Sequence, residues 1–206
     1  MIAIINYGLG NITSFQNIFN QLNLPYRVVS SPKELESAEK VILPGVGSFD
    51  HAMKLLNKSG MRVVLEEMVL EKKLPILGIC VGMQILGKSS DEGSAEGLGF
   101  INGHVKKFLE EDIDNLPLPH MGWNGVDNFE SEGIYAGIRA PSKFYFLHSY
   151  YFECEDRTHS VATSDYGKRF SCGIRKDNVY GVQFHPEKSH ANGIRLLENF
   201  GRSELC

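Results

Sequence analysis

Apolar residues fall into two regimes along this chain. Through the first eighty positions, short apolar runs alternate with stretches whose apolar residues recur every three or four positions. Met1 to Ile5 predicts a buried first strand, and Phe15, Ile18, Phe19 and Leu22 then mark a helix, with Asn11 or Thr13 as its cap. Tyr26 to Val29 predicts a second strand, and Ser31-Pro32 opens a short helix with proline near its first position. Val41-Ile42-Leu43 is a third strand, stopped by Pro44-Gly45-Val46-Gly47, after which Ser48 can cap a helix bearing Phe49, Met53, Leu55 and Leu56. Met61 to Leu70 reads as a further amphipathic helix, and Pro75 to Ile79 as a fourth strand that ends at Cys80.

Strand and helix in strict alternation predict an α/β fold with a mostly parallel, doubly wound sheet. In such sheets functional groups gather at the carboxyl ends of the strands. That rule selects the loops after Ile5, Val29 and Leu43, and Cys80 itself. Gly8-Leu9-Gly10 begins a dinucleotide fingerprint but Thr13 stands where its third glycine belongs, so that reading is set aside.

The second half changes character. Lys88 to Gly97 is polar and glycine-bearing, a surface loop. Shorter apolar runs follow at Phe100 to Phe108, Gly122 to Phe129, Phe144 to Phe152, Ser160 to Thr163, Phe170 to Ile174 and Val179 to Phe184. Turn residues between them predict additional antiparallel or mixed strands. Glu110, Glu111, Asp112 and Asp114 form a solvated acidic patch, and Ile194, Leu196, Leu197 and Phe200 mark a closing helix. No repeat or linker interrupts the pattern, so residues 1–206 are expected to form a single domain.

Composition narrows the function. At 42% apolar and 22% charged residues, the 206-residue chain has the make-up of a soluble globular protein. A net charge of −4 argues against nucleic acid as a partner. No apolar run approaches the roughly 20 residues that cross a bilayer, and no signal-peptide pattern opens the chain. The four cysteines, Cys80, Cys154, Cys172 and Cys206, are scattered, as in a reduced, cytoplasmic protein.

Two segments carry candidate chemistry. In Gly78-Ile79-Cys80-Val81-Gly82 an apolar strand ends at a thiol flanked by glycines two residues away on each side. This is the nucleophile-elbow pattern with cysteine in the serine position. A buried, inert cysteine fits the same residues. In the second segment the strand Val179 to Phe184 runs into His185-Pro186-Glu187. Residues two apart on extended chain share a side, which places an imidazole beside a carboxylate, the base and its orienter. A surface ion pair is the plainer alternative. His185, Glu187 and His190 together could ligate zinc, but no helical H-E-x-x-H accompanies them, so no metal and no cofactor are expected. His51, His120 and His148 read as packed or exposed rather than catalytic.

Taken together, Gly78 to Gln84, Pro44-Gly45-Val46-Gly47 and His185-Pro186-Glu187 resemble the class I, triad-type glutamine amidotransferases. The order Cys, His, Glu and the separation of the first two (185 − 80 = 105 residues) fit as well. Within that family the chain is similar to the glutaminase subunits of imidazole glycerol phosphate synthase, through Asn6-Tyr7-Gly8, Gly10-Asn11, Pro119 to Asn124, His148-Ser149-Tyr150 and Gln183 to Ser189. The resemblance implies Cys80 as nucleophile, His185 as base and acid, and Glu187 as orienter. It further implies an oxyanion hole from Val81 and the Gly45-Val46-Gly47 loop, with Gln84, Ser149 and Tyr150 holding the glutamine. It implies a (β/α)8-barrel partner that consumes the ammonia, faced by Asn11, Trp123, Tyr145 and Lys188. Two alternatives accompany it: a paralogous subunit supplying ammonia for amidation of a surface-polysaccharide sugar, and a non-catalytic pseudo-glutaminase.

Overall fold

The computed structural model describes residues 1–114, 116–129 and 131–202, so Cys206 lies outside the described residues. The first half alternates as the hydrophobic pattern predicts: β1 (Ile2–Ile5), α1 (Ile12–Gln21), β2 (Tyr26–Val29), α2 (Pro32–Leu35), β3 (Lys40–Gly45), α3 (Phe49–Lys58), α4 (Met61–Glu66), β4 (Ile76–Cys80) and α5 (Val81–Gln84). Asn11 rather than Thr13 caps α1, its side chain accepting from the Ser14 amide. Ser48 sits at the cap position of α3 but makes no side-chain cap bond. The Glu92 carboxylate accepts from the Phe49 amide at 2.8 Å in its place. The predicted helix Met61 to Leu70 is α4 followed by a π-helical turn over Glu67–Glu71. Its Lys72 amide reaches back five residues to the Glu67 carbonyl.

Beyond α5 come β5 (Ser89–Ser90), β6 (Gly103–Lys107), β7 (His120–Val126), β8 (Ser142–His148), β9 (Tyr150–Cys154), β10 (Ser160–Tyr166), β11 (Lys168–Lys176), β12 (Val179–Val182) and α6 (His190–Arg202). The region expected to be a plain loop from Lys88 to Gly97 thus contains the short strand β5. The single run Phe144 to Phe152 is two strands broken at Ser149, and they belong to different sheets.

The main sheet runs β2-β1-β3-β4-β12-β11-β9-β6-β5, with β10 on β11, and β7 pairs with β8 apart from it. The five strands from β2 to β12 are mutually parallel, whereas β11, β9 and β6 are joined by antiparallel pairings. β1 and β4 are buried at every position, which is why they read as unbroken apolar runs. α1 buries Phe15, Ile18 and Phe19, and α6 buries Leu196, Leu197 and Phe200. No helix among the described residues is long and apolar enough to cross a membrane.

Candidate active site

β4 sits between β3 and β12, so the three strand ends converge. In this register Gly45 pairs with Cys80, and Val182 with Ile79. Cys80 follows the last apolar residue of β4 and precedes α5, and its backbone turns through φ 55° and ψ −115°. A positive φ costs a residue with a Cβ about 1–3 kcal/mol, so the fold tolerates strain to present this side chain. The neighbouring glycines are required by contact. A Cβ on Gly82 would lie 1.9 Å from the Leu43 carbonyl oxygen, and one on Gly45 2.3 Å from the Gly82 nitrogen. Val81 opens α5, where amide N–H groups lack intrahelical partners.

His185 lies three residues beyond the end of β12. Its Nδ1 donates to the Glu187 Oε1 at 2.8 Å, and both side chains are almost wholly buried. The route to that pairing differs from the expected one. Pro186–Lys188 is a 3-10 turn, not extended chain, and the turn folds Glu187 back onto the ring. Backbone bonds hold it in place. The His185 amide donates to the Tyr145 carbonyl at 2.8 Å, the Ser189 hydroxyl donates to the His185 carbonyl at 2.6 Å, and the Tyr145 amide donates to that hydroxyl at 3.0 Å.

With Nδ1 committed to Glu187, Nε2 remains for Cys80. Burial alone would lower the His185 pKa, but hydrogen bonds and charge from Cys80 and Glu187 outweigh it, pushing it up to about 10. The imidazole is therefore a cation at neutral pH, the state that pairs with a thiolate. The Gln183 amide nitrogen also reaches the Cys80 sulfur, at 3.7 Å. By contrast, burial raises the pKa of Cys172 well above the ordinary thiol range and that of Cys154 to about 12.

A cavity of about 280 Å³ opens over these groups, lined among others by Val46, Gly47, Cys80, Val81, Gln84, Glu92, Ser149, Tyr150, His185 and Lys188. The nucleophile, base, oxyanion-loop and substrate-binding candidates thus meet in one place. A larger cavity of about 630 Å³, beside Tyr135, Arg175 and Tyr180, lies at the opposite ends of the strands and holds none of them. Gln84 lines the site, yet its amide nitrogen already donates to the Tyr150 carbonyl at 3.2 Å and to the Gln183 side chain at 3.0 Å. Of the expected partner-facing residues, Trp123 and Tyr145 are register partners on β7 and β8. Lys188 lies over the Tyr145 ring at 5.5 Å, and Asn11 is exposed. His190 stacks on Trp123, ring centroids 5.0 Å apart, and among the described residues no three potential ligands gather as a metal site.

Three further residues at the site are not marked as such by the sequence pattern. Gln183 had a signal, a glutamine within a buried apolar strand. Tyr7, whose hydroxyl donates to the Pro44 carbonyl at 2.9 Å at the base of the oxyanion loop, belongs to the Asn6-Tyr7-Gly8 motif, which by itself implies no role for the hydroxyl. Glu92 had none, since it belongs to a polar loop like any other.

The arrangement suits attack by sulfur on a carbonyl carbon with protonation of the leaving group. Comparison with known proteins shows the family to which the chain belongs. Residues 3–203 match the family described as glutamine amidotransferase class-I. The subunit HisH of imidazole glycerol phosphate synthase from Bdellovibrio bacteriovorus is 52% identical over 201 residues, covering 97% of this chain and 98% of that one. The corresponding Leptospira borgpetersenii subunit is 49% identical over the same extent. A crystal structure described as a glutamine amidotransferase superposes with a TM-score of 0.75 at 18% identity, covering 97% of both chains, which speaks to the fold.

Proposed function

The chain belongs to the class-I glutamine amidotransferases, and on that premise we propose that it is the glutaminase subunit of an imidazole glycerol phosphate synthase in histidine biosynthesis. It acts as one domain over residues 1–206, in the cytoplasm, with a (β/α)8-barrel partner that consumes the ammonia. The observation that carries the reading is the convergence of Cys80, the His185–Glu187 pair and the β3 loop on one cavity.

The Cys80 thiolate attacks the side-chain amide carbon of glutamine, and the carbonyl electron pair moves onto oxygen. That oxyanion needs donors aimed at it. The Val81 amide supplies one and the Gly45-Val46-Gly47 loop the other. Gly47 stands at φ +88°, a conformation open to glycine, and leaves that loop free to reorient. His185 Nε2 gives its proton to the departing nitrogen, which leaves as ammonia, and a thioester remains. Water then attacks the thioester carbon while the now neutral imidazole takes its proton. Glutamate leaves and the thiolate is restored. Glu187 keeps the Nδ1 proton in place throughout. Ser149 and Tyr150 hold the amino-acid end, and the Glu92 carboxylate in the same cavity complements its ammonium.

Free ammonia protonates in water and ceases to be a nucleophile, so the product must pass to a partner directly. Asn11, Trp123, Tyr145 and Lys188 form the face toward that partner. Trp123 is 45% exposed and Met121 beside it 64%, and an exposed tryptophan in an apolar setting is a frequent binding anchor.

The test is complementation of a histidine-requiring strain that lacks its own glutaminase subunit, supplied with this chain and its cognate barrel partner. Growth without histidine, lost on Cys80→Ala, is expected. Failure to grow, with surface-polysaccharide amidation restored in its own deletion strain, would assign the chain to sugar amidation instead. Growth undiminished by Cys80→Ala would overturn the glutaminase reading.

A further inference from the structure

His120 and His148 are both buried, and neither takes part in the chemistry above. They pair with each other, His120 Nδ1 to His148 Nε2 at 2.9 Å. The directions of the bonds around them follow from their neighbours. His148 Nδ1 meets the Tyr150 carbonyl at 2.8 Å, and a carbonyl only accepts, so His148 carries its proton on Nδ1. Its Nε2 is then the acceptor for the His120 Nδ1–H. At the other end, Asn124 lies with its Oδ1 accepting from the Gly125 amide and its nitrogen donating to the Asp165 carbonyl. That same nitrogen meets His120 Nε2 at 3.2 Å, so His120 Nε2 is also an acceptor. Both rings are neutral Nδ1–H tautomers.

Their surroundings keep them so. His120 is stacked between Phe146 and Tyr166, centroids 4.7 and 4.0 Å away. Phe108 and Phe170 flank His148 at 5.6 and 5.3 Å. Burial lowers the pKa of His120 to about 4, and that of His148 to about 3, where the positive charge that His120 would carry on protonation, and then that of His185, add to the effect of burial.

The chain of bonds does not stop at Tyr150. The same carbonyl accepts from Gln84 Nε2, which also donates to Gln183 Oε1. The Gln183 nitrogen reaches the Cys80 sulfur. A continuous path of hydrogen bonds thus runs from Asn124 on β7, through both imidazoles and the Tyr150 carbonyl, to the nucleophile. We propose that the His120–His148 pair is a positioning device for the glutamine site: it fixes the His148-Ser149-Tyr150 backbone where β8 breaks into β9, and ties that segment to the β7–β8 hairpin. This rests on the amidotransferase reading above and adds two positioning residues to it.

Two measurements on the protein with its barrel partner test it. Nitrogen-15 spectra of histidine-labelled complex at pH 7, with signals assigned through His120→Asn and His148→Asn, should show both rings neutral and protonated on Nδ1. A cationic ring, or an Nε2–H tautomer at His148, would overturn the proposal. In glutamine hydrolysis, His148→Asn keeps a donor near the Nδ1 position and His148→Gln does not. The expected result is a KM for glutamine raised about tenfold in His148→Gln and less than about threefold in His148→Asn, the value of one well-placed hydrogen bond, with kcat little changed in both. Loss of folded protein would instead lower kcat at constant KM. Equal KM values in the two variants and the wild type would overturn the proposal. If the wild-type complex hydrolysed no glutamine, the amidotransferase reading would fall, and the tautomer measurement would still decide whether the bond path exists.

Discussion

Burial and partnership pull His185 in opposite directions, and partnership wins. Its ordinary pKa of 6.5 is pushed up to about 10 because the bonds and charges of Cys80 and Glu187 outweigh desolvation. The folded state therefore binds this proton more tightly than the unfolded chain. The resulting stability is fully present below pH 6.5 and is lost as pH rises through 10. Glu187→Gln removes one of the two partners. The gap in urea-unfolding stability between wild type and variant should be widest near pH 6 and shrink toward pH 10, and kcat at pH 7 should fall about a hundredfold or more. A gap that stays constant with pH would contradict the assignment. Much of this was legible at the residue scale. The spacing of His185 and Glu187 and the glycines around Cys80 marked the chemistry, although a 3-10 turn rather than extended chain brings the pair together. Gln183 leaves a trace, a glutamine within an apolar run, whereas Glu92 leaves none, because its place in the site depends on a loop that meets the strand ends only in the folded chain.

Among the elements, the elbow between β4 and α5 is where fold and function conflict. Cys80 holds a positive φ that glycine would adopt freely. Cys80→Gly should relieve about 1–3 kcal/mol of strain and lose about 0.5–1 kcal/mol to the greater freedom of the unfolded chain. Cys80→Ala keeps the strain. The glycine variant should therefore unfold at higher denaturant than the alanine variant, by about 1 kcal/mol, while both are inactive. The reverse order would show that the turn is relaxed. Elements buried on both faces, such as β1 and β4, were plain in the sequence as unbroken apolar runs. The split of Phe144 to Phe152 into β8 and β9 was not, because hydrophobicity continues through Ser149 while the chain changes sheets. The π-helical turn after α4 left no mark either, since one extra residue hardly disturbs a helical spacing over so short a segment.

At the scale of the whole molecule, the β7–β8 pair stands outside the main sheet yet reaches both Cys80 and His185. Its outer face carries the exposed Met121, Trp123 and Leu147. Its backbone holds His185 through Tyr145, and the Leu147 carbonyl approaches the Cys80 sulfur at 3.8 Å. A partner docked on that face would bear on the catalytic groups through a few bonds, which gives a physical route for coupling hydrolysis to ammonia demand. All of this presupposes that Cys80 is the nucleophile. The direct measurement is peptide mass spectrometry of the complex, acid-quenched during glutamine turnover. A γ-glutamyl group should appear on the peptide containing Cys80, be absent from those containing Cys154 and Cys172, and vanish in Cys80→Ala together with ammonia release. Sustained turnover with no adduct on Cys80, or ammonia release undiminished in Cys80→Ala, would contradict the account.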